Sequence, residues 1–300
     1  MKWLAPDYYP RFTCIADRCR HSCCAQGWEI DIDARTHALY RSVPGEFGAR
    51  LAAGIQAGEV PTFQTDRLGR CPFWNSRGLC DIILTLGEDA LCDICADHPR
   101  FRNFFSDRVE LGVGLCCEEA CRIILENQDT VRLIELDCEG EDPMDEADAR
   151  LFENRDAAFA ILQDRTVCFD ARLEKLAERF DIPENQRTPA AWAELYRKLE
   201  RLDEQWTPYL DALASAACMA VDDRDTVWEQ LAVYFVFRHT AEAMDDREFA
   251  QRLAFCVHAV QIIRTICVAS GAQVTEVCRL YSGEIEYSDE NVYRLMQSLR

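Results

Sequence analysis

"VWEQLAVYFVFRHTAEAM" (residues 227–244) carries an unbroken apolar run at 231–237 and is apolar almost all round. A helix with no polar face has no side to offer water, so this one belongs at the centre of a helical core. Working outward, apolar periodicity predicts helices over roughly 145–165, 170–180, 189–203, 206–220, 224–244, 248–270 and 288–299, with breaks at Pro183, Pro189, Pro208 and Gly283. Towards the N-terminus the pattern changes. Residues 27–43 read as a brief extended piece leading into a helix, 88–105 as a helix ended near Pro99, and 108–127 as a strand-like piece followed by a helix from about Leu115. In "CPFWNSRGLCDI" (71–82), Asn75 to Gly78 is a turn, which predicts a short hairpin with Cys71 and Cys80 facing across it. The acidic "ELDCEGEDPMDEAD" (135–148), with Gly140 and Pro143, is the expected boundary. The expected fold is mainly α: a cysteine-rich metal-binding half (1–140) with one small β-hairpin, packed on an all-helical half (141–300).

Composition bounds the function. About half of the 300 residues are apolar and the net charge is −20, with the acid excess spread along the chain. Such a field argues against a nucleic-acid partner, whose phosphates want Lys and Arg, and is compatible with a lysine-rich one. "MKWLAPDYYP" has no apolar stretch before Pro6 and is not a secretory signal, and runs such as 231–237 are too short to span a bilayer. The expectation is a cytoplasmic protein without membrane contact.

The cysteines carry the strongest signal. Of 17, eleven lie in the first 121 residues: Cys14, Cys19, Cys23, Cys24, Cys71, Cys80, Cys92, Cys95, Cys116, Cys117 and Cys121. Cys138, Cys168, Cys218, Cys256, Cys267 and Cys278 are scattered singly and read as buried, inert cysteines that stay apart from the clustered set. An odd count without an export signal does not suit a disulfide scaffold. Cys19 with Cys23 and Cys117 with Cys121 stand at i,i+4, and Cys92 with Cys95 at i,i+3, so each pair would project from one face of a helical turn and could grip a metal. Thiolate-only sites suit zinc or iron–sulfur, four cysteines to a unit, and spacing alone leaves both open. "ELGVGLC" (110–116) nearly spells a nucleotide-binding glycine turn, but Cys116 stands where its third glycine should be.

"CIADRCRHSCCAQGWEIDID", "CPFWNSRGLCDI", "LCDICADHPRF" and "GLCCEEACRIIL", in that order, resemble the flagellin lysine-N-methylase family, with "YFVFRHT" (234–240) as a looser likeness further on. The leading block and the CPF turn are also similar to cysteine-cluster proteins named for zinc or iron chelation. The family resemblance implies methyl transfer from S-adenosylmethionine to lysines of a protein such as flagellin, with a cysteine-bound 4Fe–4S cluster. It tips the balance from zinc towards iron. The other class of function is a non-catalytic chelating or redox-sensing module.

A lysine amine attacks a methyl group only when neutral, and its ordinary pKa is about 10.4. His98, Tyr8, Tyr9, Asp31 and Asp33 are the candidate bases near the cysteine motifs, although His98 reads better as a structural residue. Arg100 could bind the methionine carboxylate of S-adenosylmethionine or balance the charge of a cluster. Arg238 interrupts the most apolar helix, so it needs a buried carboxylate or a ligand as partner. Trp28 and Trp74 are expected to pack around the metal group.

Overall fold

A computed structural model describes residues 1–140, 142–184 and 186–299. In chain order the strands are β1 (Lys2–Pro6), β2 (Ile55–Gln56), β3 (Thr62–Phe63), β4 (Arg100–Phe104), β5 (Arg108–Val113) and β6 (Leu133–Cys138). The first helices are α1 (Ala34–Ser42), α2 (Gly45–Ala53), α3 (Asp81–Leu86), α4 (Asp93–Asp97) and α5 (Glu118–Leu125). Beyond them come α6 (Glu146–Leu162), α7 (Phe169–Phe180), α8 (Pro189–Tyr196), α9 (Thr207–Ser215), α10 (Asp225–His239), α11 (Asp246–Ser270), α12 (Val274–Tyr281) and α13 (Asp289–Ser298). Helix far exceeds strand, as the apolar periodicity required.

The division of the chain differs from a cut at residue 140. One compact unit holds 1–12, 102–116 and 120–300; the other holds 13–101 and 117–119. The reason is strand pairing. β1 runs parallel to β5 and antiparallel to β6 in a four-stranded sheet ordered β4-β5-β1-β6, so the first residues of the chain belong with much later ones. Residues 135–138, expected to belong to the boundary stretch, form the end of β6 instead.

In the larger unit, α10 is buried on nearly every face, from Trp228 through Phe237. It packs on α11, which in turn packs on α9, α12 and α13. By length and composition α11 is apolar enough to cross a membrane, which corrects the expectation that no segment is; most of it is buried inside the protein. Its Arg264 pairs with Asp170 at 2.7 Å. Pro189 and Pro208 sit in the first turns of α8 and α9, where a missing N–H costs nothing. Gly283, expected as a break, lies instead inside a π-helical turn, Ser282–Glu286, that continues α12. Glu110 of β5 and Arg155 of α6 form a buried two-bond ion pair, both bonds 2.6 Å.

The smaller unit has a modest core of Ile30, Ile32, Tyr40, Leu51, Phe63, Cys71, Phe73, Ile82, Ala90 and Cys92. Asp33 caps two helices at once, accepting from Thr36 N–H of α1 at 2.9 Å and from Asp93 N–H of α4 at 3.0 Å. The Tyr40 hydroxyl donates to the Ala90 carbonyl at 2.7 Å, tying α1 to the segment before Cys92. The expected hairpin at 71–82 is a tight turn with a single bridge, Trp74 to Cys80. Asn75 makes the turn, its side-chain oxygen accepting from Arg77 and Leu79 N–H, and its amide holds Asp81, where the chain enters α3. Cys80 therefore lies opposite Trp74 rather than Cys71.

Candidate metal centre and a buried charge network

Nine of the eleven clustered cysteines fall in the smaller unit, while Cys116 and Cys121 fall in the larger one. None of the 17 forms a disulfide. The adjacent Cys23 and Cys24 lie in a short 3-10 turn that Ser22 caps by accepting from Cys24 N–H at 3.3 Å. The Trp28 indole donates to the Cys23 carbonyl at 2.7 Å.

Cys14 and Cys117 lie within electrostatic reach of both Cys19 and Cys23. Glu118 organises this set by accepting from the N–H groups of Arg20 and His21, at 2.9 and 3.1 Å, and from the Arg20 guanidinium at 3.0 Å. Burial pushes the Cys19 thiol up to about 11.

Cys24, Cys71, Cys80, Cys92 and Cys95 form a second neighbourhood. Cys71 N–H donates to the Cys24 carbonyl at 2.8 Å, and Gly27 N–H to the Gly69 carbonyl at 3.1 Å. This crossing needs glycine. Both residues have positive φ, and a Cβ on Gly69 would stand 2.4 Å from the Gly27 Cα. Burial pushes Cys71 up to about 12. Within the touching pair Cys23–Cys24, the shared hydrogen bond pulls Cys24 down to about 7 and pushes Cys23 up. Cys92 is likewise lowered by Cys95, which is raised.

These sulfur contacts are pairwise, and among the described residues no three His, Cys, Asp or Glu side chains are gathered to hold a single metal ion. In kind and number the donors suit a thiolate-held group, zinc or iron–sulfur.

Trp28 and Trp74 pack against the core that includes Cys71 and Cys92. The Trp28 ring lies 5.3 Å from that of His98, whose pKa burial lowers to about 4. His98 is thus a neutral ring packed on tryptophan. The Asp33 carboxylate is occupied with its two caps, and the Asp31 backbone forms a β-bridge with Thr62. The Arg100 guanidinium reaches the Ala96 carbonyl at 3.4 Å. Tyr8, in the larger unit, is 2 % exposed, and burial raises its pKa.

In the larger unit Arg238 has the acidic partner its position demands. Its guanidinium stands 3.4 Å from Glu286 and donates to the Tyr234 hydroxyl at 2.9 Å. Tyr234 donates to Glu286 at 3.1 Å and accepts from Leu115 N–H, just past β5, at 3.2 Å. His239 lies 2.7 Å from the same carboxylate. Burial opposes charge on Glu286, but Arg238 and His239 outweigh it and hold its pKa at about 2. Burial likewise works against Arg238, and Glu286 outweighs it to keep the guanidinium charged. Cys116 faces this network, bonded to Tyr287. Cys121 contacts Cys278, which corrects the expectation that the scattered six stay apart from the clustered cysteines, and Cys138, Cys168 and Cys218 are exposed, not buried. Glu118 and Tyr234 fall inside the quoted motifs without being singled out, and nothing local links Glu286 to Arg238.

Over 139 residues, 43% of this chain, the sequence is 30% identical to the lysine-N-methylase of Salmonella typhimurium and 29% identical to that of Salmonella choleraesuis. The chain is a distant relative of the lysine-N-methylases. It spans 34% of the length of each of these two relatives. Over 137 residues it is also 27% identical to the flagellar biosynthetic protein FliU of Salmonella muenchen, covering 79% of that protein. No family model and no solved structure matches the chain.

Proposed function

We propose that this protein methylates lysine side chains of another protein, using S-adenosylmethionine and a thiolate-held iron–sulfur group, with flagellin as the first substrate to test. The relationship to the lysine-N-methylases carries this reading. Nine thiols in one compact unit support the metal part of it, and the net charge of −20 suits a lysine-bearing partner.

When bound, S-adenosylmethionine supplies a methyl on a cationic sulfur and the iron–sulfur group a cluster of thiolate-ligated charge. The lysine nitrogen forms the new N–C bond as the C–S bond breaks, and the ammonium must first lose a proton. The chain's own residues constrain where that can happen. Arg238 and Glu286 both stay charged and neutralise each other, Tyr234 stays a phenol, and burial lowers the pKa of His239. Their network holds the turn after β5 against α10. Arg100 is the residue offered to the methionine carboxylate, and no base is assigned.

The test is anaerobic purification, incubation with isotope-labelled S-adenosylmethionine and flagellin from the same host, and mass spectrometry of the flagellin lysines. Labelled methyl groups on lysine support the reading. An iron-loaded protein that neither binds S-adenosylmethionine nor labels any lysine would make the non-catalytic chelating or redox-sensing module the better one.

A further inference from the structure

We infer that a cleft in the smaller unit, beside Trp28 and Glu29, takes a lysine side chain of the partner protein. The inference rests on the reading that the partner is recognised through lysine, and it gives that contact a place.

The cleft grows out of local strand geometry. After the Gly27–Gly69 crossing the chain runs alongside β3, with Phe63 N–H donating to the Ile30 carbonyl at 3.1 Å and Ile32 N–H to the Pro61 carbonyl at 2.8 Å. Thr62 is thereby flanked by Asp31 on one side and by Gln56 of β2 on the other. A cavity of about 400 Å³ opens here, lined by Trp28, Glu29, Gln56, Thr62, Gln64 and Thr65 with the neighbouring Gly27 and Phe63. Successive residues of a strand face opposite sides. Gln56 lines this cavity, whereas Ile55 lines a second one, of about 460 Å³, together with His37 and Arg41.

The lining selects charge. Among the described residues no Lys, Arg or His lines the first cavity, and Glu29 is its one acid. The Glu29 carboxylate has no ion-pair partner among the described residues. The side chains of Gln56, Thr62, Gln64 and Thr65 make no hydrogen bond there either. A carboxylate, an indole and several amide and hydroxyl oxygens, with no cation to compete, suit an ammonium on an alkyl stem. The stem packs on the indole and the three ammonium N–H groups donate to the oxygens. His37 and Arg41 give the second cavity the opposite preference.

The aromatic wall is set before binding. The Trp28 indole donates to the Cys23 carbonyl at 2.7 Å, and its ring lies 5.3 Å from that of His98. A ring already held in place loses little freedom when a ligand arrives. Glu29 is a binding residue in this account: it holds the ammonium before the proton is lost.

The experiment uses the whole protein purified without oxygen. The probe is a synthetic peptide with one central lysine beside a photoreactive diazirine residue, and cross-links are mapped by mass spectrometry. They should fall on 27–29 and 56–65. Replacing the lysine by norleucine, which keeps the stem and lacks the ammonium, should lower the yield about fivefold, and Glu29→Gln should do the same. Glu29 is exposed, so this variant folds as the parent does. Cross-links confined to other segments, or equal yields with norleucine or with Glu29→Gln, would overturn the assignment. Flagellin methylation with an unchanged KM in Glu29→Gln would overturn the cleft and leave the enzymatic reading standing. Lysine-dependent cross-links here in a protein that methylates nothing would support the cleft and count against the enzymatic reading alone.

Discussion

The two compact units are held together by different means. In the larger one, α10 and α11 bury Leu231, Phe235, Phe255, Ile263 and their neighbours completely, and apolar burial of that extent stabilises a fold unaided. In the smaller one the helices are short, two of the ten core residues are cysteines, and further thiols pack around them. A core so small gains from cross-links or metal bonds. One unit has an extensive hydrocarbon core and the other a small core lined with thiols, and the contrast can be tested.

The largest effect should come from metal removal. Chelation under reducing conditions is expected to abolish amide-exchange protection across 13–101 while leaving α10 and α11 protected, read by hydrogen-exchange mass spectrometry. Uniform loss across both units would break the comparison. Next comes Arg155→Met in the larger unit. It leaves Glu110, 0 % exposed, without its partner. It should cost about 3–5 kcal/mol in urea unfolding and leave the metal content unchanged.

Gly69→Ala acts on the smaller unit alone. The added methyl meets the Gly27 backbone, and alanine resists the positive φ. A loss of about 1–3 kcal/mol is expected, with faster alkylation of Cys24 and Cys71. Unchanged labelling would show that the crossing does not hold these thiols in place.

The last effect is a slope. His258 of α11 is 2 % exposed, packed against Trp192, and burial lowers its pKa to about 3. The unfolded chain protonates this histidine below about pH 6.5 and the folded one does not. Stability is therefore full above that pH and falls as the medium is acidified towards pH 3, by about 1.4 kcal/mol per unit. His258→Phe should flatten this limb of a stability–pH curve.

Much of the helical architecture was legible because an apolar stripe with helical period has one way to leave water. The stretches read at 170–180, 248–270 and 288–299 correspond to α7, α11 and α13 within two residues at either end. α2 and α12 were missed; each is short, and a stripe of two turns hardly stands above its surroundings. The turn at 75–78 was legible because Asn and Gly have local reasons to sit there. The hairpin drawn around it was not, since strand pairing depends on partners remote in sequence. β6 was hidden for the same reason: an acidic edge strand looks like a linker until β1 pairs with it.

For the candidate sites, the sequence by itself determined the inventory: which thiols crowd together, that Arg238 on an apolar helix must find a partner, and that the central helix is buried. Those follow from local chemistry, the cost of leaving a charge unpaired or an apolar face wet. Only the tertiary structure decided the partners. It matched Arg238 with Glu286, bonded Glu118 to the backbone after Cys19, and put Cys116 and Cys117 in different units. Such choices depend on chain segments far apart in sequence meeting at ångström distances, and only the folded backbone determines those distances.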